Sequence, residues 1–168
     1  MVVCAKCGRE SPDDFGFCPF CGAALQAAQP RQVRKFVSVL FCDLTGSTAL
    51  GHRTDPEALR VMMRRYYDNA RAVLEHHGGT VEKFVGDAVM AVFGIPVATE
   101  DDALRAVRAA VELRDAVQDL GLEARIGVNT GEVVAVEGDT LVIGDAVNVA
   151  ARLEQSAAPG DVLLGETT

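Results

Sequence analysis

The sequence lacks any apolar run long enough to cross a bilayer. A spanning helix needs about 20 apolar residues, and the longest stretch of interest, residues 37–42, has the length of a strand. It also lacks an excess of positive charge. Sixteen Lys and Arg against 24 Asp and Glu give a formal net charge of −8 and a pI near 4.8. That balance speaks against nucleic-acid binding, because neutralising phosphates takes clustered cations. The N-terminus, MVVCAKC, has no succession of basic segment, apolar stretch and small-residue cleavage site, so nothing in it reads as an export leader. A cytoplasmic location is expected, where thiols stay reduced. The five cysteines are therefore read as metal ligands or core residues, not as disulfides. Internal repeats and low-complexity tracts are absent as well.

What is present fits a soluble globular chain, with 49% apolar and 24% charged residues. A length of 168 residues leaves room for one medium domain and a small module. Composition divides them as a cysteine module at 1–24, a linker at 25–34 with Pro30 and a basic cluster, and an α/β domain at 35–168. In the module, Cys4-Ala-Lys-Cys7-Gly and Cys18-Pro-Phe-Cys21-Gly form two CxxC knuckles. Tetrahedral zinc takes four soft thiolates, and each knuckle points two sulfurs at one point. The glycine after each pair lets the backbone present amides to sulfur. So small a module cannot bury a sufficient core, and a structural Zn²⁺ on Cys4, Cys7, Cys18 and Cys21 is expected to hold it. A thioredoxin-like redox pair does not fit, since neither knuckle opens a helix in a βαβ unit. Cys42 reads as a core residue.

In the larger part, residues 36–43 read as a buried strand, followed by a polar TGST turn. A helix is expected from Asp55 and Pro56 to Gly78-Gly79, with Leu59, Met62, Met63, Tyr66, Ala70, Val73 and Leu74 on its inner face. Strands at 80–85 and 88–93 meet at Gly86-Asp87 in a hairpin. A second helix is expected to open at Thr99, with Asp102 in a capping box, and to end near Gly121. Its inner face would be Ala103, Val107, Ala110, Leu113, Val117 and Leu120. Strands at 124–129 and 132–136, a helix at 145–157 and a strand at 161–164 complete the chain. The core order βαββαβ predicts an α+β, ferredoxin-like sandwich. His52, His76 and His77 read as exposed turn and helix-end residues.

Two carboxylates stand out. Asp43 ends the first strand and Asp87 tips the hairpin. Singly, one could cap a helix and the other suit a turn. In a ferredoxin-like sheet, however, the first strand and the hairpin are neighbours, and two aspartates at adjoining edges make a hard-oxygen site for Mg²⁺ or Mn²⁺. Asn148 and Arg152 are four apart on the last helix and share a face. An Asn within AVNVAARL is costly unless partnered. Lys83 and Arg152 alone would pass for surface cations.

The segments VSVLFCDLTGST, VEKFVGDAVMAVFG, ARIGVNTGEV and VIGDAVNVAARLEQ, in that order over about residues 34–168, resemble the successive signatures of class III adenylate and guanylate cyclases. The resemblance implies a homodimer with active sites at its interface, acting on ATP or GTP. It implies that Asp43 and Asp87, helped by the Leu44 carbonyl, bind two Mg²⁺ or Mn²⁺ ions, and that Arg125 touches phosphates. From the other subunit Lys83 would read the base, Asn148 orient the ribose and Arg152 stabilise charge on the α-phosphate. The family's second base-reading position, usually Asp or Thr, falls on Leu141, which cannot hydrogen-bond; Thr140 is adjacent. Lys83 in place of Glu leans toward ATP. The family also continues past the equivalent of Thr168 with strands that carry a triphosphate-binding lysine, so the chain reads as a truncated piece with possible regulatory domains elsewhere. A rival reading is a non-catalytic dimerisation or nucleotide-sensing module whose zinc ribbon recruits a partner. A third, a zinc-ribbon nucleic-acid binder, runs against the acidic charge.

Overall fold

A computed structural model of the chain describes residues 1–12, 14–25, 32–136 and 140–168, which form two compact units divided after Arg31. Residues 26–31 of the expected linker, Pro30 included, lie outside the described residues.

The first unit is built on its cysteines. Strands β1 (Val2–Val3) and β2 (Glu10–Ser11) pair antiparallel. The two knuckles are closed alike: Gly8 N–H donates to the Cys4 carbonyl and Gly22 N–H to the Cys18 carbonyl, each at 2.8 Å. Gly8 and Gly22 sit at φ 70° and 67°, a left-handed turn that any side chain would strain. Among the described residues its apolar core is Cys4, Cys18 and Leu25, with Val2, Cys21 and Ala23 beside them.

The second unit is the mixed α+β sandwich. Its sheet runs β4–β5–β3–β6–β7, where β3 is Gln32–Leu44, β4 Thr80–Val85, β5 Ala88–Phe93, β6 Ala124–Val136 and β7 Val142–Ile143. A parallel strand β8 (Val162–Leu164) also pairs with β6. Helices α2 (Pro56–His76) and α3 (Asp102–Asp119) cover one face, over Leu40, Cys42, Leu44, Ile126 and Val128. Helix α4 (Asp145–Ser156) covers the other, where Ala146 and Ala150 meet Val37, Val39, Val133 and Ala135. The alternation follows the two-residue period of each strand.

Local chemistry sets the helix ends. Asp55 caps α2, its carboxylate accepting from the amides of Glu57 and Ala58 at 3.1 and 3.4 Å. The Thr99 box forms, since the Asp102 carboxylate accepts from Thr99 N–H at 2.7 Å, but regular helix begins only at Asp102. Buried Asp102 then turns the inward stripe of α3 onto Ala106, Ala109, Ala110, Leu113 and Val117, leaving the expected Ala103 and Val107 half-buried. Three further expectations change. The TGST turn opens a short helix α1 (Ser47–Arg53). Strand β3 starts at Gln32 because its ladder with β6 continues to the pair Gln32–Val136. The two strands expected at 124–129 and 132–136 are one 13-residue strand, β6.

Gly131 explains the last difference. It is not a turn residue but a contact: a Cβ there would meet the Ala146 Cβ at 3.0 Å. Four residues earlier on the same face, a Cβ at Gly127 would lie 2.3 Å from Glu154 N and 2.4 Å from the Ala150 carbonyl oxygen. Helix α4 thus lies directly on the β6 backbone through a stripe of small residues. Gly127→Ala should therefore cost about 1–3 kcal/mol, toward the upper end because the obstruction is backbone. A lower urea midpoint at unchanged slope would show it; an unchanged midpoint would contradict so close a contact.

Candidate active site

The ladder of β3 and β6 sets Asp43 opposite Arg125. Both side chains point to the α4 face, and Arg125 Nη2 donates to Asp43 Oδ2 at 2.8 Å. The same Nη2 lies 3.1 Å from Glu154 Oε1, on the last turn of α4. That oxygen is buried and misaligned for a hydrogen bond, as is Arg125 Nε. Leu44 is buried next to Asp43 and pairs with Ala124.

Asp87 is brought to this end of the sheet by the β4–β5 hairpin, whose Gly86 adopts φ 61°. Two tyrosines of α2 clamp the turn. Tyr66 Oη donates to the Asp87 carbonyl at 2.9 Å and Tyr67 Oη to the Gly86 carbonyl at 2.5 Å. Tyr66 Oη also lies 3.8 Å from Cys42 Sγ, so one buried hydroxyl bridges the strand bearing Asp43 and the turn bearing Asp87. Tyr66, expected only as core, thus also positions the site.

Charge interactions link the residues of this cluster. Burial pushes the Glu154 carboxyl up; Arg125 opposes this, and the charges of Asp43 and Asp87 add to it. Arg125 is held above its usual value by its bond to Asp43, with Glu154 and Asp87 contributing. Burial pushes the Cys42 thiol up to about 12, only partly offset by Tyr66. Three carboxylates thus share one guanidinium. Among the described residues, the only His, Cys, Asp or Glu side chains that gather in threes or more around one point are the four cysteines. Asp43 and Asp87 are therefore an incomplete set of hard oxygen donors, suited to an ion that takes its remaining ligands from phosphate or water.

The other expected residues lie apart from this cluster. Lys83 sits on the edge strand β4, half-exposed, 3.1 Å from Glu82 Oε1. Asn148 and Arg152 share the outward face of α4 and are exposed, Arg152 lying 4.0 Å from Asp145. The expected burial cost at Asn148 therefore does not arise within one chain. Thr140 and Leu141 are exposed just before β7. The sequence reading missed Glu154 and the tyrosine clamp. Spacing by four from Ala146 and Ala150 puts Glu154 on the inward stripe of α4, a signal too weak to single it out in the sequence.

In the first unit, all four Sγ atoms lie within 4.8 Å of one another, with Cys4–Cys21 at 3.5 Å and Cys7–Cys18 at 3.6 Å. A disulfide would need about 2.05 Å. Thiolates around one tetrahedral ion at ~2.3 Å stand roughly 3.7 Å apart. The amides of Cys7 and Lys6 lower the Cys4 thiol, while burial and the neighbouring sulfurs push the Cys21 thiol up to about 12. The quartet can hold a metal ion.

The fold of the second unit has known counterparts. Residues 30–168 match the family model described as "Adenylate and Guanylate cyclase catalytic domain", and the chain belongs to that family. It is 32% identical to the adenylyl cyclase CyaB from P. aeruginosa, with a TM-score of 0.76 over 81% of this chain and 79% of that one. It is 34% identical to the guanylyl cyclase Cya2, with a TM-score of 0.73 over 80% and 77%. A non-canonical dimeric guanylyl cyclase domain of the RhoGC fusion protein from Blastocladiella emersonii aligns at TM-score 0.74 and 26% identity, over 83% of this chain and 84% of that one. A Rhizobium meliloti protein named "Putative adenylate cyclase 3" is 33% identical over 79% of this chain, which spans only 22% of that protein's length. No helix among the described residues is long and apolar enough to cross a membrane.

If Tyr66 Oη holds the hairpin as described, Tyr66→Phe should lower stability by about 1 kcal/mol and speed hydrogen exchange at Asp87 and Ala88. Exchange unchanged at the turn would mean that the hydroxyl does not hold it.

Proposed function

We propose that residues 35–168 are the catalytic domain of an adenylate cyclase, joined through a linker at 25–34 to a zinc ribbon at 1–24. It converts ATP, with GTP a poorer substrate, into a 3′,5′-cyclic nucleotide and pyrophosphate. The observation that carries this reading is the division of the family's residues into two sets. Asp43, Asp87 and Arg125 gather at one end of the sheet, while Lys83, Asn148 and Arg152 are exposed and make no contact with them. A two-fold homodimer sets each set against the other set of the second copy, making two composite sites.

Asp43, Asp87 and the Leu44 carbonyl would hold two Mg²⁺ or Mn²⁺ ions. Such ions lower the pKa of the ribose 3′-hydroxyl and neutralise charge on the triphosphate. Arg125 contacts phosphate oxygens. From the second copy Asn148 orients the ribose, so that the 3′-oxygen attacks the α-phosphate in line and pyrophosphate leaves. Arg152 then meets charge developing on the α-phosphate. Lys83 is donor-only and favours adenine, which presents an acceptor at N1 where guanine presents N–H. Leu141, exposed and apolar, weakens the second base contact. It also favours the second reading, a weakly active or inactive nucleotide-sensing dimer. A cytoplasmic location, no nucleic-acid or membrane partner, and regulatory regions in a longer chain complete the proposal.

Product formation from ATP and from GTP with Mn²⁺ tests it. Asp87→Ala should abolish turnover and Arg152→Ala lower it about 10²–10³-fold. Inactive Asp43→Ala and Arg152→Ala chains mixed equally should recover roughly a quarter of parental activity, since half the dimers are mixed and each keeps one intact site. No recovery would refute composite sites, and no product from the parent would favour the sensing module. Elemental analysis should find about one zinc per chain, lost together with the fold of the first unit in a Cys4→Ser/Cys18→Ser variant.

A further inference from the structure

We propose that Glu154 is the second seat of Arg125: a positioning residue that takes the guanidinium when a divalent cation occupies Asp43. The inference rests on the reading of Asp43 as a metal ligand.

Arg125 Nη2 stands between two carboxylates, 2.8 Å from Asp43 and 3.1 Å from Glu154. Only the first contact is a well-formed hydrogen bond. On the other side both partners have capacity to spare: Arg125 Nε and Glu154 Oε1 are buried and without hydrogen bonds. Turning the guanidinium toward Glu154 would use this spare capacity in a charge-assisted hydrogen bond. Asp43 cannot serve a cation and Arg125 in the same way at once, because the cation repels the guanidinium and claims the same oxygen. Leaving that guanidinium unpaired among buried groups is costly. Glu154 removes the difficulty. The close approach of α4 to Gly127 fixes it beside Arg125, since the Glu154 amide lies 2.3 Å from where a Gly127 Cβ would be. The arrangement also ties the metal carboxylate to α4, the helix that carries Asn148 and Arg152.

The test is Mn²⁺ binding to the full chain without nucleotide, followed by the electron paramagnetic resonance of free Mn²⁺. Asp43→Asn supplies the baseline for ions held elsewhere. Glu154→Gln should raise the Asp43-dependent dissociation constant about tenfold, equivalent to ~1.4 kcal/mol, while in an Arg125→Ala background the same change should do nothing. Should Glu154→Gln fail to fold, Glu154→Asp keeps the charge but draws it back from Arg125. It should weaken binding about threefold, again only when Arg125 is present. Equal weakening with and without Arg125 would overturn the proposal, because Glu154 would then act on the cation directly. Unchanged affinity in a folded Glu154→Gln chain would overturn it too. A parent with no Asp43-dependent Mn²⁺ binding would remove the metal reading of Asp43 itself, a failure distinct from the other two.

Discussion

Helix α4 rests on the backbone of β6 at Gly127 and Gly131, with Ala146, Ala150 and Glu154 as its contact stripe. The remaining arrangement of the site depends on that closeness. With a larger residue on either side, the helix would have to stand farther off, since packed interiors do not yield continuously. Glu154 would then leave Arg125, and Asn148 and Arg152 would move with the helix. One steric constraint thus fixes both the charge partner inside the chain and the polar face outside it.

The acidic cluster needs a second constraint, because carboxylates repel. Register supplies part of it: Asp43 is opposite Arg125 in a ladder of 13 pairs, too long to slip. The tyrosine clamp supplies the rest, holding the Asp87 turn by its carbonyl and leaving the carboxylate unused by the clamp. Burial of Tyr66 and Cys42 beneath the carboxylates raises both of their pKa values and keeps them neutral, so they add no charge to the cluster.

The first unit follows a different logic. Its apolar core is too small to hold a fold, and its order comes from two knuckles of like geometry, each closed by one backbone hydrogen bond and a left-handed glycine. The sulfur separations fit one shared ion better than any covalent pairing among the cysteines.

Much of this was legible in the chain itself. Periodicity located α2, β4, β5 and α4, the Asp55 signal marked the start of α2, and motif spacing gave the family and the knuckles. These features are local, set by a residue and its near neighbours. The reading went astray wherever a residue's meaning came from a distant partner. Gly131 looked like a break in a strand but is a seat for Ala146. Tyr66 looked like core but also holds Asp87. Asn148 looked like a buried polar group but faces outward, and Glu154 carried no signal strong enough to single it out. Sequence determined most of the elements that form, because propensity and pattern act over a few residues. Only the tertiary structure decided that Arg125 stands between two carboxylates and that α4 divides the site residues into two sets, because those facts depend on how closely one helix approaches one strand.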